Sequence, residues 1–147
     1  MKTIFEFDAS LCSACGACQT ACMDQNDRLP EKGEEPFRKC IEVEEGHGSE
    51  VTMKFRMTGC MHCENPACVD VCPVSCIWKD EETGLVLYDN TECVGCRACL
   101  EACPYEGPVF DNDDKMSKCD GCIERVRSGL EPACVRVCPF DAITIAK

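Results

Sequence analysis

Apolar residues in this chain come in short stretches parted by turn residues, a pattern that predicts small hairpins rather than long helices. Ile77-Trp78-Lys79 is followed by Asp80-Glu81-Glu82-Thr83-Gly84 and then by Leu85-Val86-Leu87-Tyr88. Two β-rich segments around a turn that ends in glycine read as a hairpin. Phe37 to Glu44 and Glu50 to Met57, on either side of Gly46-His47-Gly48-Ser49, read the same way. Thr3 to Phe7 and Ala142 to Ile145 are strand-like and able to pair with each other. Short helical turns are expected after the third cysteine of each cysteine run, as at Arg97 to Ala102, where Pro104 marks an end. The segment Met23 to Glu35 is polar, carries Pro30 and Gly33, and predicts a surface loop. The expected fold class is small α+β.

Composition changes the picture, because such a fold lacks the apolar material for an ordinary core. The 45% hydrophobic content of the 147 residues includes all 18 cysteines. Without them about one third of the chain is conventionally apolar, little for burying a domain near the lower limit of independent stability. Disulfides or metal must staple it. A cysteine-dense short chain is usually a secreted disulfide scaffold, but Met1-Lys2-Thr3-Ile4-Phe5-Glu6-Phe7-Asp8 shows no apolar export region, no small-residue cleavage site and no twin arginine. The expectation is a cytoplasmic location, where closely spaced cysteines bind metal more often than each other. No stretch approaches the roughly eighteen apolar residues of a membrane span, so direct membrane insertion is not expected. A net charge of -12 argues against nucleic acid and anionic lipid as partners. With that charge a docking partner is expected to present a basic face.

Sixteen of the eighteen cysteines fall into four runs. The first, Cys12, Cys15, Cys18 and Cys22, has the same spacing as the third, Cys93, Cys96, Cys99 and Cys103. The second is Cys60, Cys63, Cys68 and Cys72; the fourth is Cys119, Cys122, Cys134 and Cys138, with a longer middle gap. The second and fourth share Pro-Ala-Cys-x3-Cys-Pro, from Pro66 to Pro73 and from Pro132 to Pro139. The order a-b-a-b is that of a duplicated unit. Three thiolates at x2 spacing lie along one short loop and suit three corners of a cubane, leaving the fourth corner to a distant cysteine; in two-cluster ferredoxins the fourth cysteine of such a run serves the other cluster. The third run, followed by Pro104, fits that pattern fully, whereas Met23 follows the first.

Residues beside the runs fit the same purpose less specifically. Gly16, Gly59, Gly95 and Gly121 adjoin ligand positions, where they either turn amides toward sulfur or simply make turns. Pro73, Pro104 and Pro139 end ligand runs and help exclude water. His62 reads as a supporting or surface residue rather than a ligand, and His47 lies in a turn without evident task. Cys40 and Cys76 read as small buried apolar residues. Zinc is the main metal alternative, and the third cysteine at x2 counts against it, since zinc sites use separated pairs. No glycine-rich phosphate loop and no Cys/His or Ser/His/Asp set stands apart from the runs, so the chain is not expected to be an enzyme by itself.

Cys60-Met61-His62-Cys63-Glu64-Asn65-Pro66-Ala67-Cys68, Glu92-Cys93-Val94-Gly95-Cys96-Arg97-Ala98-Cys99 and Lys115-Met116-Ser117-Lys118-Cys119-Asp120-Gly121-Cys122, continued by Pro132-Ala133-Cys134, resemble the four-cluster iron–sulfur subunits of molybdenum and tungsten oxidoreductases. The dimethyl sulfoxide reductase and formate dehydrogenase subunits are examples of that family. The resemblance implies two interlocked bacterial-ferredoxin-like modules. The inner one spans 59–104; the outer one comprises 1–58 and 105–147, with a hairpin insertion at about 36–58. It further implies four [4Fe-4S] clusters. Cluster 1 takes Cys12, Cys15, Cys18 and Cys138, and cluster 4 takes Cys22, Cys119, Cys122 and Cys134. Cluster 2 takes Cys60, Cys63, Cys68 and Cys103, and cluster 3 takes Cys72, Cys93, Cys96 and Cys99. The implied function is relay of single electrons to or from a catalytic molybdenum- or tungsten-pterin subunit, such as a formate dehydrogenase or aldehyde oxidoreductase. A flavin- or ferredoxin-linked redox partner is the implied second contact. The alternatives are a free polyferredoxin carrier, a subunit of a carbon monoxide dehydrogenase or hydrogenase, and copies of the chain stacked into a longer wire. The chain stops at Lys147, directly after the last strand, which favours a complex without a membrane quinone route.

Overall fold

The computed structural model describes residues 3–146. Its elements in chain order are β1 (Phe5–Phe7), α1 (Ala17–Gln25), β2 (Lys39–Glu45), β3 (Thr52–Thr58), α2 (Ala67–Val71), β4 (Ile77–Lys79), β5 (Val86–Tyr88), α3 (Ala98–Ala102), β6 (Val109–Phe110), β7 (Met116–Ser117), α4 (Ile123–Arg127), α5 (Ala133–Val137) and β8 (Ile143–Ile145), with one 3-10 turn at Pro30–Lys32. The strands form four two-stranded antiparallel sheets: β1–β8, β2–β3, β4–β5 and β6–β7. This is the expected small α+β fold. The terminal strands pair as predicted, Phe5 opposite Ile145 and Phe7 opposite Ile143, because Phe5 and Ile143 each bury almost completely in the same cluster.

A two-stranded sheet is marginal alone; β2 leans on α1, β4 on α2 and β8 on α5, and β5 supplies a shared apolar wall. In and just before that strand Leu85, Val86 and Leu87 are consecutively buried. Leu85 and Leu87 join Phe5, Ile123, Cys134 and Ile143 in one apolar cluster, while Val86 joins Cys76, Ile77, Cys99 and Met116 in another. A strand apolar on both faces is a wall between two cores. α1 packs against α5 and α2 against α3, so the segments bearing the third and fourth cysteines of runs one and four meet, as do those of runs two and three.

Several elements differ from expectation. The helices begin one residue before the third cysteine, at Ala17, Ala67, Ala98 and Ala133, so the third and fourth cysteines stand four apart on one helical face. The predicted loop Met23 to Glu35 is partly helical: α1 runs on to Gln25, and Pro30–Lys32 forms the 3-10 turn. Without a proline after Cys22 nothing stops α1 there. Arg28 then pins the segment down, paired with both carboxylate oxygens of Asp111 and stacked 4.4 Å over Phe37. The β6–β7 hairpin and α4 lacked a readable signal, being only two and five residues long.

Candidate metal centres

The two residues after the first cysteine of each run must reverse the chain tightly enough to bring the next sulfur back, and the structure does this in one way four times. The residue two positions after that cysteine is left-handed in every run: Ala14 (φ 56°), His62 (φ 53°), Gly95 (φ 69°) and Gly121 (φ 72°). Only two of the four are glycine, so the glycine pattern underreports the turn. Such strained non-glycine residues persist where surrounding structure over-determines them, and they cluster at functional sites. At Gly95 and Gly121 a side chain is also excluded by space, since a Cβ would lie 2.5 Å from the Asp114 carbonyl or from the Leu85 Cδ2.

A second device recurs at the fourth cysteine. After Cys72, Cys103 and Cys138 a proline ends the helix, the third residue on is left-handed (Ser75, Glu106, Asp141), and the amide of the fourth residue on turns back to donate to the cysteine sulfur. These bonds are Cys76 N to Cys72 Sγ at 3.3 Å, Gly107 N to Cys103 Sγ at 3.4 Å and Ala142 N to Cys138 Sγ at 3.3 Å. Run one has no proline, so the amide of Asn26 stays in the helix, bonded to the Cys22 carbonyl. The Asn26 side chain supplies the donor instead, its Nδ2 lying 2.8 Å from the Cys22 carbonyl and 3.6 Å from Cys22 Sγ. Donors aimed at a ligand sulfur favour the more negative, reduced state of the group it binds. Asn26→Leu is therefore expected to lower one midpoint potential of the loaded protein and leave its iron content unchanged; an EPR-monitored redox titration checks this.

The cavities follow from these turns. Cys12, Cys15, Cys18 and Cys138 line one, closed by Phe7, Met57, Pro139 and Phe140. Cys60, Cys63, Cys68 and Cys103 line a second with Pro66 and Pro104, and Cys72, Cys93, Cys96 and Cys99 a third with Pro73 and Met116. Pro73, Pro104 and Pro139 thus wall the cavities. Cys22, Cys119, Cys122 and Cys134 are all buried, and Cys22, Cys122 and Cys134 lie near enough to perturb one another electrostatically. Among the glycines singled out from sequence, Gly121 donates to sulfur, at 3.3 Å to Cys119. Gly59 (φ 129°) is instead required by close approach, a Cβ there falling 2.5 Å from the Phe37 carbonyl.

The donor set fits a cluster better than a lone ion. Among the described residues no three His, Cys, Asp or Glu side chains converge tightly enough to hold a single metal ion, as zinc with its bonds of about 2.3 Å to sulfur requires. Burial pushes the Cys18, Cys68, Cys99 and Cys122 thiols up to about 11, so these dry sites hold thiolates only against a compensating positive charge. Cys72 differs: burial opposes its ionisation, but hydrogen bonds from the Cys76 and Val74 amides outweigh that and lower its pKa.

Three residues outside the tetrads answer their expectations differently. Of the two places expected for His62, supporting or surface, the surface one is excluded, because the residue is fully buried; its Nδ1 accepts from the Val86 amide at 2.9 Å, its ring lies 5.3 Å from Phe5, and Nε2 has no partner among the described residues. Burial, reinforced by Lys118 and Arg38, holds His62 well below the usual histidine pKa. Cys40 is half-buried rather than a core residue. Its Sγ is 3.6 Å from Cys12 Sγ, and it lines the first cavity. Cys76 is buried as expected, and its amide is part of the sulfur-binding turn. Sequence reasoning gave no role to Arg38 or Asn26, and Lys118 entered it only as one residue of the Lys115 to Cys122 motif, because nothing in the local sequence says where these side chains fold back.

Residues 51–147 match the family described as "4Fe-4S dicluster domain". The chain is 40% identical to the B subunit of anaerobic dimethyl sulfoxide reductase from Escherichia coli (strain K12), covering 95% of this chain and 70% of that one. It is 38% identical to "Hydrogenase-2 operon protein HybA" of Escherichia coli O157:H7, over 93% of this chain and 49% of that one. It is 35% identical to "Formate dehydrogenase, nitrate-inducible, iron-sulfur subunit" of Escherichia coli (strain K12), over 92% and 51%. Four cysteine tetrads on turns repeated through the chain, together with this similarity, make the protein a member of the 4Fe-4S dicluster family, an iron–sulfur electron-transfer subunit.

Proposed function

We propose that the chain relays single electrons between a catalytic molybdenum- or tungsten-pterin subunit and a second redox partner, in the cytoplasm, where thiols stay reduced for cluster assembly. The observation that carries the reading is the grouping of cysteines from distant runs around shared cavities. The ligand sets assigned are Cys12, Cys15, Cys18 and Cys138 for cluster 1 and Cys22, Cys119, Cys122 and Cys134 for cluster 4, both in the outer module (1–58 and 105–147). In the inner module (59–104), Cys60, Cys63, Cys68 and Cys103 hold cluster 2, and Cys72, Cys93, Cys96 and Cys99 hold cluster 3. Each cluster, when bound, stores and releases one electron.

The chain's own residues arrange the path. Clusters 1 and 4 share α1 and α5; clusters 2 and 3 share α2 and α3. Cys22, Cys60 and Cys119 pack with Phe37 in one apolar cluster, which supports a position for cluster 4 beside cluster 2. The order is therefore 1–4–2–3. Cys15 and Cys96, one at each end, are exposed ligands, next to exposed Phe140 and Val94 respectively. Electrons enter and leave at these ends, while the wholly buried tetrad of cluster 4 and the half-buried one of cluster 2 carry them through the middle. The β2–β3 hairpin, with exposed Val51 beside it and exposed Met53 on it, is assigned to contact with the catalytic subunit. Among the described residues no helix is long and apolar enough to cross a membrane.

The test is iron and acid-labile sulfide on anaerobically purified protein with reduced EPR spectra. About sixteen of each per chain with magnetically coupled signals is expected; zinc without sulfide overturns the reading. Copurification with a large subunit containing molybdenum or tungsten is expected too, and a stable free monomer in the native cell overturns that assignment of partner.

A further inference from the structure

Two cations are buried where the modules meet. Arg38 and Lys118 are each 1% exposed, and among the described residues neither forms a salt bridge with a carboxylate, the ion pairs found there belonging to other cations. Lys118 Nζ donates to the Val86 carbonyl, to the Cys119 carbonyl at 2.6 Å and to Cys60 Sγ at 3.6 Å, so all three ammonium hydrogens have acceptors. Arg38 Nη2 donates to the Cys60 carbonyl at 2.8 Å and Nη1 to Met61 Sδ at 3.3 Å, while the guanidinium lies 4.8 Å over Phe5. Arg38 Nε, like His62 Nε2, is buried without a partner among the described residues. Unpaired buried charge costs several kcal/mol per ion, and orphaned buried donors call for an acceptor. The anions within reach are the thiolates of the cysteines around them: Cys119 and Cys134 of cluster 4 act most strongly on Arg38, followed by Cys60 of cluster 2, and Cys60 Sγ is the one that accepts from Lys118.

We propose that Arg38 and Lys118 form a cationic junction between clusters 4 and 2 that raises the midpoint potentials of those two clusters relative to clusters 1 and 3. The proposal rests on the ligand sets assigned above. Reduction adds an electron to an already anionic group, and a fixed positive charge at low dielectric stabilises the reduced form more than the oxidised one. The effect is local, because exposed Cys15 and Cys96 at the ends are screened by solvent. The two interior clusters thereby form a shared electron-accepting centre bridging the modules, fed from either end.

Iron and sulfide near sixteen in the parent protein come first, since their absence would remove the ligand sets and not the junction. EPR-monitored redox titration of the loaded chain then compares Lys118→Met and Arg38→Met with charge-keeping Arg38→Lys. Each neutral variant is expected to shift two of the four midpoints downward and leave two in place, with Arg38→Lys staying close to the parent. Four unchanged midpoints in an iron-replete neutral variant, or an equal shift of all four, overturns the proposal. If a neutral variant fails to hold iron, retention of iron and parent midpoints in Arg38→Lys still supports the role of charge, and loss of iron there as well overturns it.

Discussion

Chelating the iron under reducing conditions is expected to unfold the whole described chain in one step rather than empty its sites singly. Among the described residues seven of the seventeen buried apolar ones are cysteines, and six of those (Cys22, Cys60, Cys99, Cys119, Cys122 and Cys134) are assigned as ligands. What remains is three small apolar clusters, none with more than six buried residues, on hairpins that do not stand alone. A domain of this size is stable by only about 5–15 kcal/mol, and a single structural metal in a small domain contributes a comparable ~10–16 kcal/mol. Losing the clusters therefore exceeds everything the core provides. Circular dichroism on heating, before and after anaerobic chelation, reads the result. A sharp transition that survives iron removal would show that the apolar clusters suffice and that the metal is not the staple.

The second large effect separates two cysteines one helical turn apart. Cys134 and Cys138 both lie on or at the end of α5, yet they are assigned to different clusters, Cys134 with Cys22, Cys119 and Cys122, and Cys138 with Cys12, Cys15 and Cys18. Cys138→Ala and Cys134→Ala are each expected to cut iron from about sixteen toward twelve per chain while abolishing different EPR signals. Cys12→Ala is expected to match the first of these and Cys119→Ala the second. Matching spectra for Cys138→Ala and Cys134→Ala would break the crossed assignment. Cys134 is the more deeply buried of the two, so its variant is also expected to lose more thermal stability, consistent with the roughly 1–3 kcal/mol of leaving buried partners unmatched.

Both effects depend on long-range pairing, which local patterns along the chain do not encode. The hairpins at 77–88 and 37–58, the pairing of the ends and the α+β class were legible because each rests on local alternation, a turn residue or an apolar match at Phe5 and Ile143. The type of chemistry was legible because x2 spacing constrains three sulfurs on one loop whatever the rest of the chain does. The left-handed turn two residues past each first cysteine was half visible, as Gly95 and Gly121, and hidden at Ala14 and His62, where tertiary contacts hold a residue in a conformation that its own preference disfavours.

Residue order alone dictates the number of cysteine tetrads, the turn chemistry around them and the scarcity of conventional core. Which distant cysteines share a cavity is set by three-dimensional packing, α1 on α5 and α2 on α3. The same packing makes Asn26 stand in for a missing proline turn, brings Cys40 within 3.6 Å of Cys12, and buries Arg38, His62 and Lys118. The physical reason is the range of the forces involved. Spacing and turn propensity act over a few residues and can be read along the chain, whereas burial of a charge depends on what folds over it from far away.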